Sequence, residues 1–97
     1  MHTFTGGCLC GWVRYRAHSP AANPHTCSCR TCQQHTGALT AAWVEFPRER
    51  VEWTGPGGVP STFRSSDCSS RAFCAQCGST LGALDDAPTV ALLLGGF

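Results

Sequence analysis

Apolar and polar residues alternate along this chain in short runs, and no apolar stripe of helical spacing extends beyond about two turns. Phe4, followed by Gly6-Gly7, Gly11 and the alternating Trp12-Val13-Arg14-Tyr15-Arg16, predicts a first hairpin with glycines at its turn. Ser19 to Pro24 reads as a loop, and His25-Thr26-Cys27 as a short extended entry into a cysteine-rich segment. Cys29 to His35 suits one or two helical turns, stopped by Gly37. Ala41-Ala42-Trp43-Val44-Glu45-Phe46 alternates up to Pro47 and predicts a strand. Val51 to Thr54 and Ser61 to Arg64 are two more, with Gly55-Pro56-Gly57-Gly58 as the turn between them. Arg71-Ala72-Phe73 is extended, Asp85-Asp86 before Pro88 is a turn of the kind that stays solvated, and Val90 to Leu94 makes a buried last strand. The pattern therefore predicts a mainly β fold, one domain over residues 1–97, with at most one or two short helical turns.

Cysteine placement changes the picture. Seven of the eight cysteines fall in three clusters, Cys8-Leu9-Cys10, Cys27-Ser28-Cys29-Arg30-Thr31-Cys32 and Cys74-Ala75-Gln76-Cys77. Thiolates one or two residues apart converge on one tetrahedral ion, and two such pairs from distant parts of a chain give a closed four-sulfur zinc site. Cys8, Cys10, Cys74 and Cys77 supply that set, with Gly78 closing the second pair as a knuckle. The middle cluster has three thiols and no obvious fourth ligand, the arithmetic of a zinc site that keeps one position open for water or substrate. A disulfide framework, the other reading of an even cysteine count in a short chain, fits poorly, because cysteines one residue apart bridge each other only with strain. Met1 to Gly7 has no basic start and no apolar core, so a secretory leader is not expected, and a reducing cytoplasm is.

Size and charge narrow the function classes. A chain of 97 residues buries about two-thirds of its unfolded surface, so a metal staple matters. Charged residues make up 13%, about half the usual share, and the net charge of +1 gives no basic field for a nucleic-acid backbone. The longest apolar run is far short of the roughly 20 residues that cross a bilayer, so neither nucleic acid nor membrane is an expected partner. All the cations are arginine. Arg30, inside the middle cluster, is placed to offset the net negative charge of zinc held by three thiolates.

The remaining polar residues carry less. Cys68, outside every cluster, reads as a free thiol rather than a fourth ligand to the middle site. His25 and His35 flank the trio as candidate ligands or proton shuttles, although exposed histidines of no function are commoner. Trp12, Trp43 and Trp53 read as sheet or core residues. The apolar last strand, if left as an edge, would favour a homodimer.

Gly7-Cys8-Leu9-Cys10-Gly11 with Val13-Arg14-Tyr15, the middle cluster with Thr36-Gly37-Ala38, Ala42-Trp43-Val44, and Phe73-Cys74-Ala75-Gln76-Cys77-Gly78 together resemble the glutathione-dependent formaldehyde-activating enzyme family, which includes centromere-protein-V-like members. The resemblance spans about residues 4 to 95. It implies a zinc β-tent fold and a carbon–sulfur lyase that joins glutathione, or a similar small thiol, to formaldehyde. It also implies a structural zinc on Cys8, Cys10, Cys74 and Cys77 and a catalytic zinc on Cys27, Cys29 and Cys32. Arg30, Arg64 and Arg71 are candidates for the carboxylates of such a thiol. A non-catalytic zinc scaffold and a zinc or thiol redox sensor use the same residues and stand as alternatives.

Overall fold

The computed structural model describes residues 2–97. Nine strands form two antiparallel sheets. Strands β1 (Thr3–Gly7), β2 (Arg14–His18) and β5 (Val51–Trp53) make a small sheet in the order β1-β2-β5. Strands β3 (Ala22–Cys27), β4 (Ala41–Pro47), β6 (Ser61–Arg64), β7 (Ser69–Phe73), β8 (Thr80–Asp85) and β9 (Thr89–Leu93) make a larger one in the order β3-β4-β9-β8-β7-β6. One helix, α1 (Arg30–Thr36), lies between β3 and β4, and single 3-10 turns follow β4 and β9.

The two-residue period of a strand explains why the centre of the large sheet reads as continuous apolar sequence. Val44, Phe46, Ala72, Leu81 and Leu92 point to one face and pack with Tyr15 and Ala17 of the small sheet and with Val13 just before β2. Ala41, Trp43, Ala83, Ala91 and Leu93 point to the other and pack with Cys32 of α1. The central strands are buried on both faces, so alternation of apolar with polar residues is lost there. A register shift between Ala72 and Phe73 puts Leu81 and Ala83, two residues apart, on opposite faces.

Several expectations from the sequence need correction. The first hairpin forms, but β2 begins at Arg14, and Trp12 and Val13 lie in its turn, where the Val13 N–H donates to Cys8 Sγ at 3.2 Å. The stretch expected as a loop from Ser19 to Pro24 is strand from Ala22 onward, because an irregularity near Asn23 (φ 51°) lets β3 pair with β4 despite Pro24. β5 and β6 do not pair; the turn between them carries the chain from one sheet to the other, with the Gly57 N–H on the Trp12 carbonyl at 2.7 Å. β8, rich in small residues and glycine, gave no strand signal. Asp86 is held by Arg64 rather than merely solvated. The last strand is not an edge: β9 sits between β4 and β8, which removes the reason for expecting a dimer there.

Candidate metal centres and the cleft beside them

The first cysteine pair sits on the turn between β1 and β2, in the small sheet, and the second on the turn between β7 and β8, in the large one. Packing of the sheets brings the four sulfurs of Cys8, Cys10, Cys74 and Cys77 within 4.8 Å of one another. Both turns are tight. The Cys8 N–H donates to the Val13 carbonyl at 2.9 Å, the Gly78 N–H to the Cys74 carbonyl at 2.8 Å, and the Cys74 N–H to the Ser79 carbonyl at 2.9 Å. Gly78, at φ 78°, takes the left-handed conformation that closes the knuckle. A tetrahedral zinc with sulfurs at about 2.3 Å has sulfur–sulfur edges of about 3.8 Å. Cys8 and Cys10 stand 3.6 Å apart, and Cys10 and Cys74 3.8 Å. These separations match the tetrahedron and are far too long for a disulfide, and all eight cysteines are free. The donor set therefore fits zinc.

The surroundings of this quartet favour thiolates. The Ser79 hydroxyl, first among several hydrogen bonds, lowers the Cys77 thiol to about 5. Burial opposes ionisation of Cys8, but the Val13 amide and the sulfurs of Cys10 and Cys74 outweigh it and hold that thiol below its ordinary value. Cys10 takes a hydrogen bond from the Trp12 backbone that favours its thiolate, yet burial and the crowding sulfurs of Cys77, Cys8 and Cys74 push it up to about 11. Without a cation four thiolates cannot coexist at these distances, which is the electrostatic demand a divalent ion meets. Gln76 Nε2 donates to Cys10 Sγ at 3.4 Å, completing a shell of donors.

The middle cluster is assembled locally. Cys27 ends β3, Cys29 is the N-cap of α1 and Cys32 lies in its first turn, so one strand-to-helix junction places three sulfurs within 4.8 Å. The Cys32 amide, donating to Cys29 Sγ at 3.4 Å, is the first of several interactions that lower the Cys29 thiol to about 7. Cys32 is buried, which raises its thiol against the pull of Arg71. Gly37, at φ 77°, caps the other end of the helix and donates to the Gln33 carbonyl. Among the described residues no fourth donor joins this set. Cys68 is exposed on the turn between β6 and β7 with Ser66, and His25 Nδ1 is hydrogen-bonded to the Asn23 carbonyl two residues before it.

The basic residues take different places around the trio. Arg30 is exposed at the start of α1. Arg64 is engaged with Asp86. Arg71 is the cation at the trio, with Nη1 3.6 Å from Cys32 Sγ and its guanidinium 5.5 Å from the Trp43 ring centroid. Strand pairing explains its reach: Ala91, Ala83, Arg71 and Phe63 stand opposite one another across β9, β8, β7 and β6. The two alanines leave room for the arginine to lie across the sheet beneath α1. Composition gave no sign of this; only pairing puts Arg71, 39 residues from Cys32, against it.

A cleft of about 510 Å³ opens beside Arg71, between α1 and β6–β8, lined among others by Thr31, Gln34, His35 and Phe63. Among the described residues neither ring nitrogen of His35, nor Arg71 Nε, has a partner at full hydrogen-bond geometry, although all three are buried, and the Ala72 backbone interacts with the His35 ring. Burial, then the neighbouring Arg71 charge, holds His35 below its ordinary value and keeps it neutral. A second cleft, of about 720 Å³, lies toward the quartet and is lined by Arg14, Thr36 and Phe97 among others; Thr80 borders both.

The profile of the glutathione-dependent formaldehyde-activating enzyme family matches residues 3–97. The chain belongs to that family. The fold is shared with a crystal structure of a Rhodobacter sphaeroides protein, at a TM-score of 0.75 and 17% sequence identity, covering 97% of this chain and 87% of that one. Comparison with curated proteins gives no match. Within this family member the two cysteine sets stand where zinc-binding sites would lie, and no helix among the described residues is long and apolar enough to cross a membrane.

Proposed function

We propose that this GFA-family protein is a zinc-dependent carbon–sulfur lyase that joins a small thiol, glutathione in the first instance, to formaldehyde or a related carbonyl at Cys27, Cys29 and Cys32. The observation that carries the reading is the contrast between the two cysteine sets. One offers four convergent sulfurs and leaves no coordination position free, while the other offers three and has no fourth protein donor among the described residues. Cys8, Cys10, Cys74 and Cys77 would hold a structural zinc that ties the two sheets, and the trio a second zinc. When bound, that second ion supplies a positive charge that lowers the pKa of an incoming thiol.

The chain's own residues supply the rest. Arg71, against Cys32 Sγ, offsets the negative charge of three thiolates, which would otherwise disfavour a fourth anionic sulfur. Cys29 and Cys32 are fixed by the first turn of α1, Cys29 as its exposed N-cap and Cys32 buried against the sheet. In the reaction a sulfur–carbon bond forms, the carbonyl π pair moves to oxygen, and the proton given up by the thiol ends on that oxygen. Formaldehyde adds thiols without a catalyst, so the gain comes from gathering and orienting the reactants.

The test is zinc content per chain on protein purified without added metal, with and without glutathione and a mild chelator, followed by NMR of the thiol–formaldehyde exchange rate. Two zincs, one of them labile and glutathione-sensitive, with exchange accelerated by the native protein and not by Cys29→Ser, is the expected result. One tightly held zinc indifferent to glutathione, and no acceleration, would sink the lyase reading and favour a scaffold.

A further inference from the structure

Three converging sulfurs meet the demands of some ions better than others. Zinc takes four donors, so at Cys27, Cys29 and Cys32 it must recruit a fourth from solution, whereas Cys8, Cys10, Cys74 and Cys77 complete its shell. A soft ion whose valence is used up by three sulfurs needs no further donor. The trio suits such an ion in three respects. Its sulfurs lie within 4.8 Å of one another, and no fourth protein donor joins them among the described residues. Residues close in sequence bring the set together, with Cys27 at the end of β3, Cys29 as the N-cap of α1 and Cys32 in its first turn. Cys32 is 4% exposed and packs among Trp43, Ala83, Ala91 and Leu93, surroundings that favour a neutral complex over a charged one. Zinc on three thiolates carries a net negative charge and leans on Arg71, whose Nη1 is 3.6 Å from Cys32 Sγ. A trivalent ion on the same three thiolates carries no net charge.

We infer that Cys27, Cys29 and Cys32 form a binding site for trivalent arsenic, taken up as arsenous acid in competition with zinc. The inference goes beyond the lyase reading and does not depend on it. Three arsenic–sulfur bonds form and three arsenic–hydroxyl bonds break. Each thiol proton leaves with a hydroxyl as water, or, where the sulfurs hold zinc, three hydroxides leave with the displaced ion. Neither arsenic nor sulfur changes oxidation state. Cys29, exposed on the helix cap, is the first point of attack. Cys27 and the buried Cys32 then close on the same atom within one molecule, which is the advantage of three fixed sulfurs over three separate thiols. The quartet is the poorer target, because arsenic there would leave one of four sulfurs unbound and undo a tetrahedron that suits zinc.

The experiment adds sodium arsenite to the full chain with the zinc it carries on purification, a phosphine being the sole reductant. Zinc and arsenic per chain are measured after desalting, and the arsenic neighbours are counted by X-ray absorption. Expected is one arsenic per chain, bonded to three sulfurs and no oxygen, with one zinc per chain retained. Cys29→Ser should weaken binding at least about tenfold, since one arsenic–sulfur bond is lost. The sulfur count is read on unmodified protein, so poor folding of the variant cannot mimic the result. Arsenic held by two sulfurs and an oxygen, or binding unchanged in Cys29→Ser, overturns the inference. Complete loss of zinc in step with arsenic uptake also overturns it, because the quartet would then be a target too. No uptake by protein that still accelerates thiol addition to formaldehyde removes the arsenic site and leaves the lyase reading in place. Uptake of one arsenic on three sulfurs by protein that purifies with a single zinc, and keeps it, supports the arsenic site and removes the second zinc on which the lyase reading rests.

Discussion

Cys77→Ser and Cys29→Ser remove the same atom from two cysteine sets of different topology, and their stabilities should differ accordingly. The quartet joins the turn between β1 and β2 to the turn between β7 and β8, hence the small sheet to the large one, across the 63 residues between Cys10 and Cys74. A crosslink closing a loop of that length removes about 4 kcal/mol of chain entropy from the unfolded state at 25 °C. The trio spans only the four residues between Cys27 and Cys32, which the strand-to-helix junction already orders. The loop-length dependence alone makes the quartet worth about 2.4 kcal/mol more than the trio. Against the 5–15 kcal/mol of a typical domain, loss of about 4 kcal/mol leaves Cys77→Ser with about 1–11 kcal/mol, while Cys29→Ser keeps more. For a domain of this size the difference corresponds to about 10–20 °C in Tm. Urea and thermal unfolding followed by tryptophan fluorescence, with zinc content on the same samples, measures both. Equal loss of stability in the two variants, or a less stable Cys29→Ser, would refute the assignment of the quartet as the inter-sheet staple.

Three more outcomes are expected from particular side chains. Phe46→Ala empties a fully buried site packed against Phe4 and Phe97 and should cost about 3–5 kcal/mol in urea denaturation of the zinc-loaded protein. Tyr15→Phe should be neutral or stabilising by about 1 kcal/mol, because the buried hydroxyl, pushed up to about 12 by burial, has no hydrogen-bond partner to lose; a destabilisation above that size would show that it has one. His35 should titrate by NMR below the roughly 6.5 of a free histidine. Since its folded value lies under its unfolded one, the unfolded chain binds the proton first, and stability is lost as pH falls through and below about 6.5. His35→Gln should remove that component of the slope and leave the rest.

Much of this protein was legible along the chain, and the reasons are local. Ligand spacing depends on how far a few residues can turn, so Cys8 with Cys10, Cys74 with Cys77, and the Cys27–Cys32 trio could be grouped before any fold was known. The Gly37 stop of α1 and the Gly78 knuckle are likewise single-residue conformational demands, and both glycines take the positive φ required. Strands with half-buried faces, such as β2, show their alternation. What the sequence could not settle depends on which strand lies beside which. β8 and β9 are buried on both faces, so β9 reads as a featureless apolar run and β8 shows no strand pattern, and the central place of β9 is invisible until both its neighbours are known. Arg71 shows the same limit. Nothing near it in sequence marks it apart from Arg30 or Arg64, and it reaches Cys32 only because pairing across β6 to β9 sets small alanines in its path. Chemistry held within a turn is written in residue spacing, whereas chemistry held across a sheet is decided by register, which only the folded chain fixes.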